Sequence, residues 1–477
     1  MKQEARFAWI SPQEHRNLRG EQLFLSSFSQ LSFPEMTANS NHVPFVLDTA
    51  GRLWPFVQSR RLTSLFRLSV DLDRPVRLPA LERAVDDLRQ LLPGFFVRLR
   101  QGVFWSYVER SEERPIYPEQ SSPCVNWSAA DRSRGLIRIK PWRNRIAVEF
   151  SHAISDGGGA RVFLATLVSR YLVHAGLTTE VASEAPRIAQ EDWENAFRRY
   201  GRPDLPSPPV IGKAFHPRTR LLSRGAYRVL TGTVRSDELK EAARAADLRI
   251  GEFLVAVMIE ALQAIAMRES AIPPGVVADT EAVRSNRRER RRRLRPGVIR
   301  VLVPVDLRRF FPSTTLRNFF GFVAPEIDPR LGMYDPEEVA AEVRHQMRGA
   351  LTAKRLLASF SRHVGIEAIP FLRVLPAGLK RAVMSVFFPW VGDLRYSASL
   401  SNLGPLTFGD AADRHVQRVL FVPPPSPWTR TNCSVVSFGR HTAISFGSTA
   451  VERDVEREFF RLIRQRTGWC QITGGNQ

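Results

Sequence analysis

The segment Glu149-Phe150-Ser151-His152-Ala153-Ile154-Ser155-Asp156-Gly157-Gly158-Gly159 places a histidine four residues ahead of an aspartate, with three glycines directly behind. An imidazole of ordinary pKa, about 6.5, accepts protons at neutral pH. His152 is therefore a candidate general base, able to take the proton of an attacking hydroxyl or amine. Asp156 can bind the imidazole directly, or it can meet an arginine and hold the loop in shape. The glycines allow the backbone to approach a neighbouring segment or ligand closely. No G-x-S-x-G signature of a serine nucleophile appears, which favours direct transfer over a covalent enzyme intermediate. Cys124, Cys433 and Cys470 form no C-x-x-C pair, which excludes a disulfide framework and a cysteine-built zinc site. No metal ligands are assigned.

Alternating apolar positions predict that His152 ends a strand over 146–150, and helical spacing predicts a helix over 160–175. Ahead of them the pattern gives a strand at 65–72, a helix at 79–92 with Leu81, Val85, Leu88 and Leu92 on one face, and strands at 96–100, 103–109 and 136–140. From 178 to 220 the apolar rhythm fades while Pro186, Pro203, Pro206, Pro208, Pro209 and Pro217 accumulate, which marks a crossing. The second half gives a strand at 227–234, a helix from Ser236 capped by the serine hydroxyl, and a buried apolar helix at 251–267. Strands at 298–304 and 321–327, a helix at 336–354, strands at 397–402, 416–422, 433–438 and 442–446, and a helix at 451–467 follow. The expected class is α/β, an α+β sandwich in two subdomains. Its divisions are an N-terminal extension at 1–60, a first subdomain at 61–177 carrying the histidine motif, a linker at 178–222 and a second subdomain at 223–477.

Composition bounds the partners. With 477 residues, 43% hydrophobic and 25% charged, the chain is globular and can bury a large core. Its net charge of +21 rests on 63 arginines and only 6 lysines, a skew that suggests coding bias as much as function. The stretch RSNRRERRRRLR at 284–295 carries +7 between proline–glycine breakers, so it reads as a solvated basic loop. Its readings are a surface loop, a dock for an acidic carrier protein or coenzyme A phosphates, or a nucleic-acid contact; the last lacks any aromatic-and-basic interleaving. The amino terminus MKQEARFAWISPQEH has no apolar signal core, so a cytoplasmic protein is expected. Residues 370–392 read either as a core-facing amphipathic helix broken at Pro376 or as an interfacial helix, allowing at most peripheral membrane contact.

The histidine motif resembles the active-site motif of the acyltransferases that share the chloramphenicol acetyltransferase fold: plant BAHD acyltransferases, wax ester synthases, alcohol acetyltransferases and nonribosomal peptide condensation domains. LFRLSVDLDRPVRLPALERAVDDLRQLLPGFFVRLRQGVFWSYVE, VLVPVDLRRFFPSTTLRNFFGFV and SASLSNLGPL follow in the same order, so the likeness spans about residues 60–465. Ser151 replaces the first histidine of the condensation-domain pair, and Asn318-Phe319-Phe320-Gly321 stands nearest to the plant D-F-G-W-G motif. Bacterial alcohol acetyltransferase-like proteins are thus the nearest branch.

The resemblance implies two chloramphenicol acetyltransferase-like subdomains with an active-site tunnel between them. It makes His152 the general base, with Asp156 and Gly157 completing the motif and Arg308 the salt-bridge partner of Asp156. Ser401, Asn402 and Asn318 become candidates for oxyanion or substrate contact. The implied reaction moves an acyl group from acyl-CoA to a small alcohol or amine, with no permanently bound cofactor. The alternatives are a carrier-protein-dependent condensation or acyl-loading enzyme, using the phosphopantetheine of an acyl carrier protein, and a non-catalytic basic nucleic-acid-binding protein.

Overall fold

The computed structural model describes residues 45–59, 62–119, 122–125, 127–179, 193–206, 209, 211–270, 297–368 and 375–474. The basic loop at 284–295 lies outside the described residues, as do Pro186 and Pro208 of the crossing and most of the N-terminal extension.

The first half runs β1 (Phe45–Val46), α1 (Trp54–Val57), β2 (Leu65–Leu72), α2 (Leu78–Leu91), β3 (Val97–Gln101), β4 (Ser106–Arg110), α3 (Ala129–Arg134), β5 (Ile137–Trp142), β6 (Arg145–Ser151) and α4 (Gly157–His174). A single turn, α5 (Ala196–Tyr200), lies in the crossing. The second half begins β7 (Arg228–Arg235), α6 (Ser236–Ala245), α7 (Ile250–Ser270), β8 (Ile299–Asp306), β9 (Phe320–Val323) and β10 (Glu326–Ile327). It continues α8 (Pro336–Ala350), α9 (Ala353–Ala368), α10 (Ala377–Val391), β11 (Ala398–Pro405), α11 (Asp410–Asp413) and β12 (Val416–Val422). It closes with β13 (Thr431–Phe438), β14 (His441–Ser448), α12 (Asp454–Thr467) and β15 (Gln471–Gly474).

The described residues form three sheets. A four-stranded sheet runs β12-β2-β6-β5, an eight-stranded sheet runs β10-β8-β11-β13-β14-β7-β15 with β9 also on β8, and a small sheet runs β1-β4-β3. β12 therefore leaves the second half and pairs antiparallel with β2, from Val416 opposite Leu72 to Val422 opposite Arg67. The alternation in β2 explains its place: Phe66, Leu68, Val70 and Leu72 join one core together with Leu81, Val85 and Leu88 of α2 and Phe163 and Leu164 of α4. The other side of β2 is polar yet equally buried. It is satisfied by ion pairs, Asp71 with Arg145 and Arg418, and Arg67 with Glu149 and Glu119.

α7 is the axis of the second core, and helices α8 and α12 pack against it. By length and composition it could cross a membrane, but 72% of its most apolar window is buried inside the protein.

Local chemistry departs from the sequence expectations at three points. Ser236 does not cap α6: its hydroxyl pairs with Thr442 Oγ1 at 2.9 Å, and Arg235 occupies the cap position without a side-chain bond. The helix expected over 336–354 stops at Ala350, and Thr352 starts α9 by accepting from Arg355 N at 3.4 Å. The strand expected over 321–327 divides into β9 and β10 around Pro325, which has no N–H to give the ladder.

Candidate active site

β6 carries the site. Its pairing with β2 runs to Ser151 opposite Leu65, and the next residue, His152, donates its main-chain N–H to Ser64 O at 3.0 Å. Alternation along β6 turns Glu149 and Ser151 to the polar side of the sheet. It turns Phe150 and His152 to the other, where the imidazole meets Phe66 at 4.5 Å between ring centroids. Trp54 of α1 stacks on it at 5.6 Å, and Phe320 of β9 approaches edge-on at 6.1 Å.

This aromatic box has an electrostatic consequence. Burial pushes the His152 imidazole down to about 4, against the opposing influence of the Asp156 charge and the Asn318 side chain. The ring is neutral at physiological pH. Its Nδ1 is buried with no partner at hydrogen-bond distance, while the residue as a whole keeps partial exposure. The partial exposure of the residue leaves Nε2 as the candidate nitrogen for chemistry.

Asp156 turns away from the ring. As N-cap of α4 its Oδ1 accepts from Gly158 N at 2.9 Å and Gly159 N at 3.1 Å. Oδ2 accepts from Phe319 N at 2.8 Å. The Arg308 fork completes the set, Nη1 at 3.0 Å from Oδ2 and Nη2 at 3.2 Å from Oδ1. Arg308 is itself fixed by Asp306 Oδ1 and by the carbonyls of Thr315 and Arg317. Of the two arrangements the sequence left open for Asp156, the geometry takes the arginine one, and it ties the His152 loop to the segment after β8.

The glycines are steric requirements. A Cβ on Gly159 would fall 2.0 Å from Leu316 O, and one on Gly157 would fall 2.5 Å from Leu403 Cδ2. The N-terminus of α4 thus lies directly against residues 316 and 403, which bring β11 to the same place. On that strand Ser401 is half-buried beside Ser434 of β13. Asn402 is exposed, and its side chain accepts from Gly404 N at 2.8 Å in a local turn.

Asn318 is fully buried rather than open to a substrate. Its Nδ2 lies 2.9 Å from Asp48 Oδ2, 3.2 Å from Asp48 Oδ1 and 3.0 Å from His152 O, so both amide hydrogens are used within the protein. That leaves none for an oxyanion and makes Asn318 a positioning group. Asp48 also accepts from Gly51 N at 2.7 Å and faces Arg317 Nε at 3.6 Å. Burial lifts its carboxyl above the usual range even so.

Sequence reasoning missed Asp48 and Trp54, which lie ahead of the region of resemblance. It also missed the charge cluster on the polar side of β6. There burial alone would raise Glu149, yet Arg67, Arg138 and Lys140 outweigh it and hold the carboxyl at about 2. The sequence signal was available as Arg67, Arg138 and Glu149 at inward positions of otherwise apolar strands. Two small pockets, one beside Thr219, Ser397 and Thr429 and one beside Phe95 and Tyr117, are not lined by His152.

No family model matches the sequence, and no curated protein is significantly similar to it. Among solved structures, trichothecene 15-O-acetyltransferase from Fusarium sporotrichioides is similar at a TM-score of 0.55 and 11% identity, over 90% of this chain and 95% of that one. TRI101 of F. sporotrichioides, complexed with coenzyme A and T-2, is similar at 0.58 and 12% identity, over 91% and 100%. The starter condensation domain of rhizomide synthetase, solved with C8-CoA and Leu-SNAC, is similar at 0.53 and 12% identity, over 89% and 95%. At such identities the likeness is one of architecture, and the protein has the fold of these acetyltransferases and this condensation domain.

Proposed function

We propose that the protein transfers an acyl group from a thioester, acyl-CoA, to a hydroxyl or amine acceptor, with His152 as general base. The observation that carries this reading is the state of one ring: neutral, boxed by aromatic side chains, with Nδ1 buried and the residue still partly exposed. Nε2 takes the acceptor proton, the freed oxygen or nitrogen attacks the thioester carbonyl, and the tetrahedral intermediate collapses as the imidazolium returns that proton to the departing thiol. No covalent enzyme intermediate is needed. Asp156 and Arg308 hold the loop, and Asn318 holds the His152 carbonyl. Ser401 is the candidate donor to the oxyanion, a role worth about 3–4 kcal/mol where it operates. The coenzyme A complex of one similar structure and the C8-CoA complex of another support coenzyme A as the donor's carrier.

A carrier-protein-bound donor is the second reading, favoured by the +21 charge and by the shared fold with a starter condensation domain. Intact-mass screening of acyl-CoA donors against pooled alcohols and amines, with His152→Ala in parallel, tests the first reading. Transfer from an acyl carrier protein but from no free coenzyme A thioester selects the second.

A further inference from the structure

An apolar face flanked by cations lies one helix away from the catalytic ring. The tip of the β3–β4 hairpin holds Val103 at 72% exposure and Phe104 at 45%. On α10, Leu379 and Val383, one helical turn apart, are 51% and 38% exposed. The two features are joined: Ala377 N donates to Val103 O at 2.8 Å, and Lys380 Nζ donates to Phe104 O at 2.8 Å while lying 3.5 Å from the centroid of Trp105. The apolar side chains therefore project outward from an anchored hairpin and the side of a surface helix. Neither shape is a groove for a peptide.

The surroundings are basic. Arg381 is exposed and donates to Pro55 O, and the partly exposed Arg132 of α3 donates to Trp127 O and also feels the Asp131 charge; Arg52 adds a further cation, 5.7 Å from the centroid of Trp105. The Arg132 and Arg381 guanidiniums feel each other, since burial and then Arg381 depress Arg132 below its ordinary value. Projecting apolar side chains with cations on their flanks, Lys380 and Arg52 at Trp105 and Arg381 further round α10, fit the boundary between lipid headgroups and acyl chains, where each kind of group meets its complement.

We propose that the hairpin tip at 103–104 and the exposed side of α10 dock the protein on an anionic lipid surface. The same contact places the site at the bilayer. Arg381 reaches the Pro55 carbonyl of α1, and Trp54 of α1 stacks on His152. A docked α10 thus holds the ring one short helix from the membrane, where an acyl chain or acceptor dissolved in lipid can reach it. This goes beyond the acyl-transfer reading and is measured without turnover.

The experiment is co-sedimentation of the full chain with phosphatidylcholine vesicles, with and without about one third phosphatidylglycerol. The parent is expected to bind the anionic vesicles and to release as salt rises. Phe104→Ser with Leu379→Ser should weaken binding about tenfold or more, and Arg132→Ser with Arg381→Ser should abolish the preference for anionic lipid. Unchanged melting temperatures establish that the variants fold. A parent that ignores both vesicles, or apolar variants that bind like the parent, overturns the proposal. So does a parent that is dimeric by light scattering and becomes monomeric in the Phe104 and Leu379 variant, which assigns the face to a second copy. If His152→Ala keeps full activity but binds vesicles, the acyl-transfer reading fails and the docking stands.

Discussion

The amide nitrogen of Asn318 lies 3.0 Å from the main-chain oxygen of His152 and 2.9 Å from the carboxylate of Asp48. A carboxylate only accepts, so Asp48 decides which end of the amide faces it, and Asn318 Oδ1 is left buried without a hydrogen-bond partner. Nδ1 of the His152 ring is in the same condition. The Asn318 side chain favours the charged imidazole, against the effect of burial. Asn318→Ala removes the tether and leaves Asp48 with a lost donor. The expected result is a fall in kcat of up to about 10²-fold with KM little changed, read by steady-state kinetics.

His152→Ala should lower acyl transfer by about 10²–10⁴-fold and leave the fold intact, because the ring contributes to an aromatic box whose other walls stay in place. Single-turnover rates with a purified acyl thioester and the identified acceptor provide the measurement. Near-normal rates would remove His152 from the mechanism.

Arg308→Met strands the buried Asp156 carboxylate with only main-chain donors. Breaking a buried pair in this way costs about 3–5 kcal/mol, measured as a shift in the urea denaturation midpoint. Arg308→Lys keeps the charge but loses the two-pronged fork, so its loss should fall between parent and Met.

The pH dependence has a definite sign. In the unfolded chain the imidazole titrates at about 6.5, and in the folded one burial holds His152 at about 4. Between those values the unfolded state binds the extra proton. The stability of the neutral ring is therefore complete above about pH 6.5 and is lost progressively as pH falls to about 4. His216, which burial also depresses to about 4, adds with the same sign. Denaturation midpoints should decline through this window, and the acid limb of kcat/KM should lie well below 6.5. An acid limb at 6.5 would mean that the proton acceptor is a solvated histidine.

Gly159→Ala places a methyl group 2.0 Å from Leu316 O and should destabilise the protein by about 1–3 kcal/mol. Gly212→Ala, where no atom lies within 4 Å of the added carbon, is the matched control and should be close to neutral in a thermal melt.

The sequence made the elements around His152 legible because their signals are local. The alternation through 65–72 and 146–150 and the aspartate–glycine start of α4 each specify a backbone state within a few residues. Ser236 was misread because its hydroxyl has a partner 206 positions away, Thr442, which competes with the cap. Asp48 and Trp54 carry no local signal either. Their importance comes from Asn318 and His152, brought to them only by the packing of β1 and α1 against the loop after β8. Asn318 was found by resemblance but given the wrong neighbour, since only coordinates reveal that both its amide hydrogens are taken.

One strand sets the order of assembly. β12 fills the edge beside β2, so the four-stranded sheet that presents His152 lacks a member until residue 422 has been synthesised. Until β12 is in place, β2 is unpaired on one side. The two halves are for the same reason not separable cassettes: expressed alone, the N-terminal part carries a raw edge, and mixing separately made fragments must first restore that missing strand.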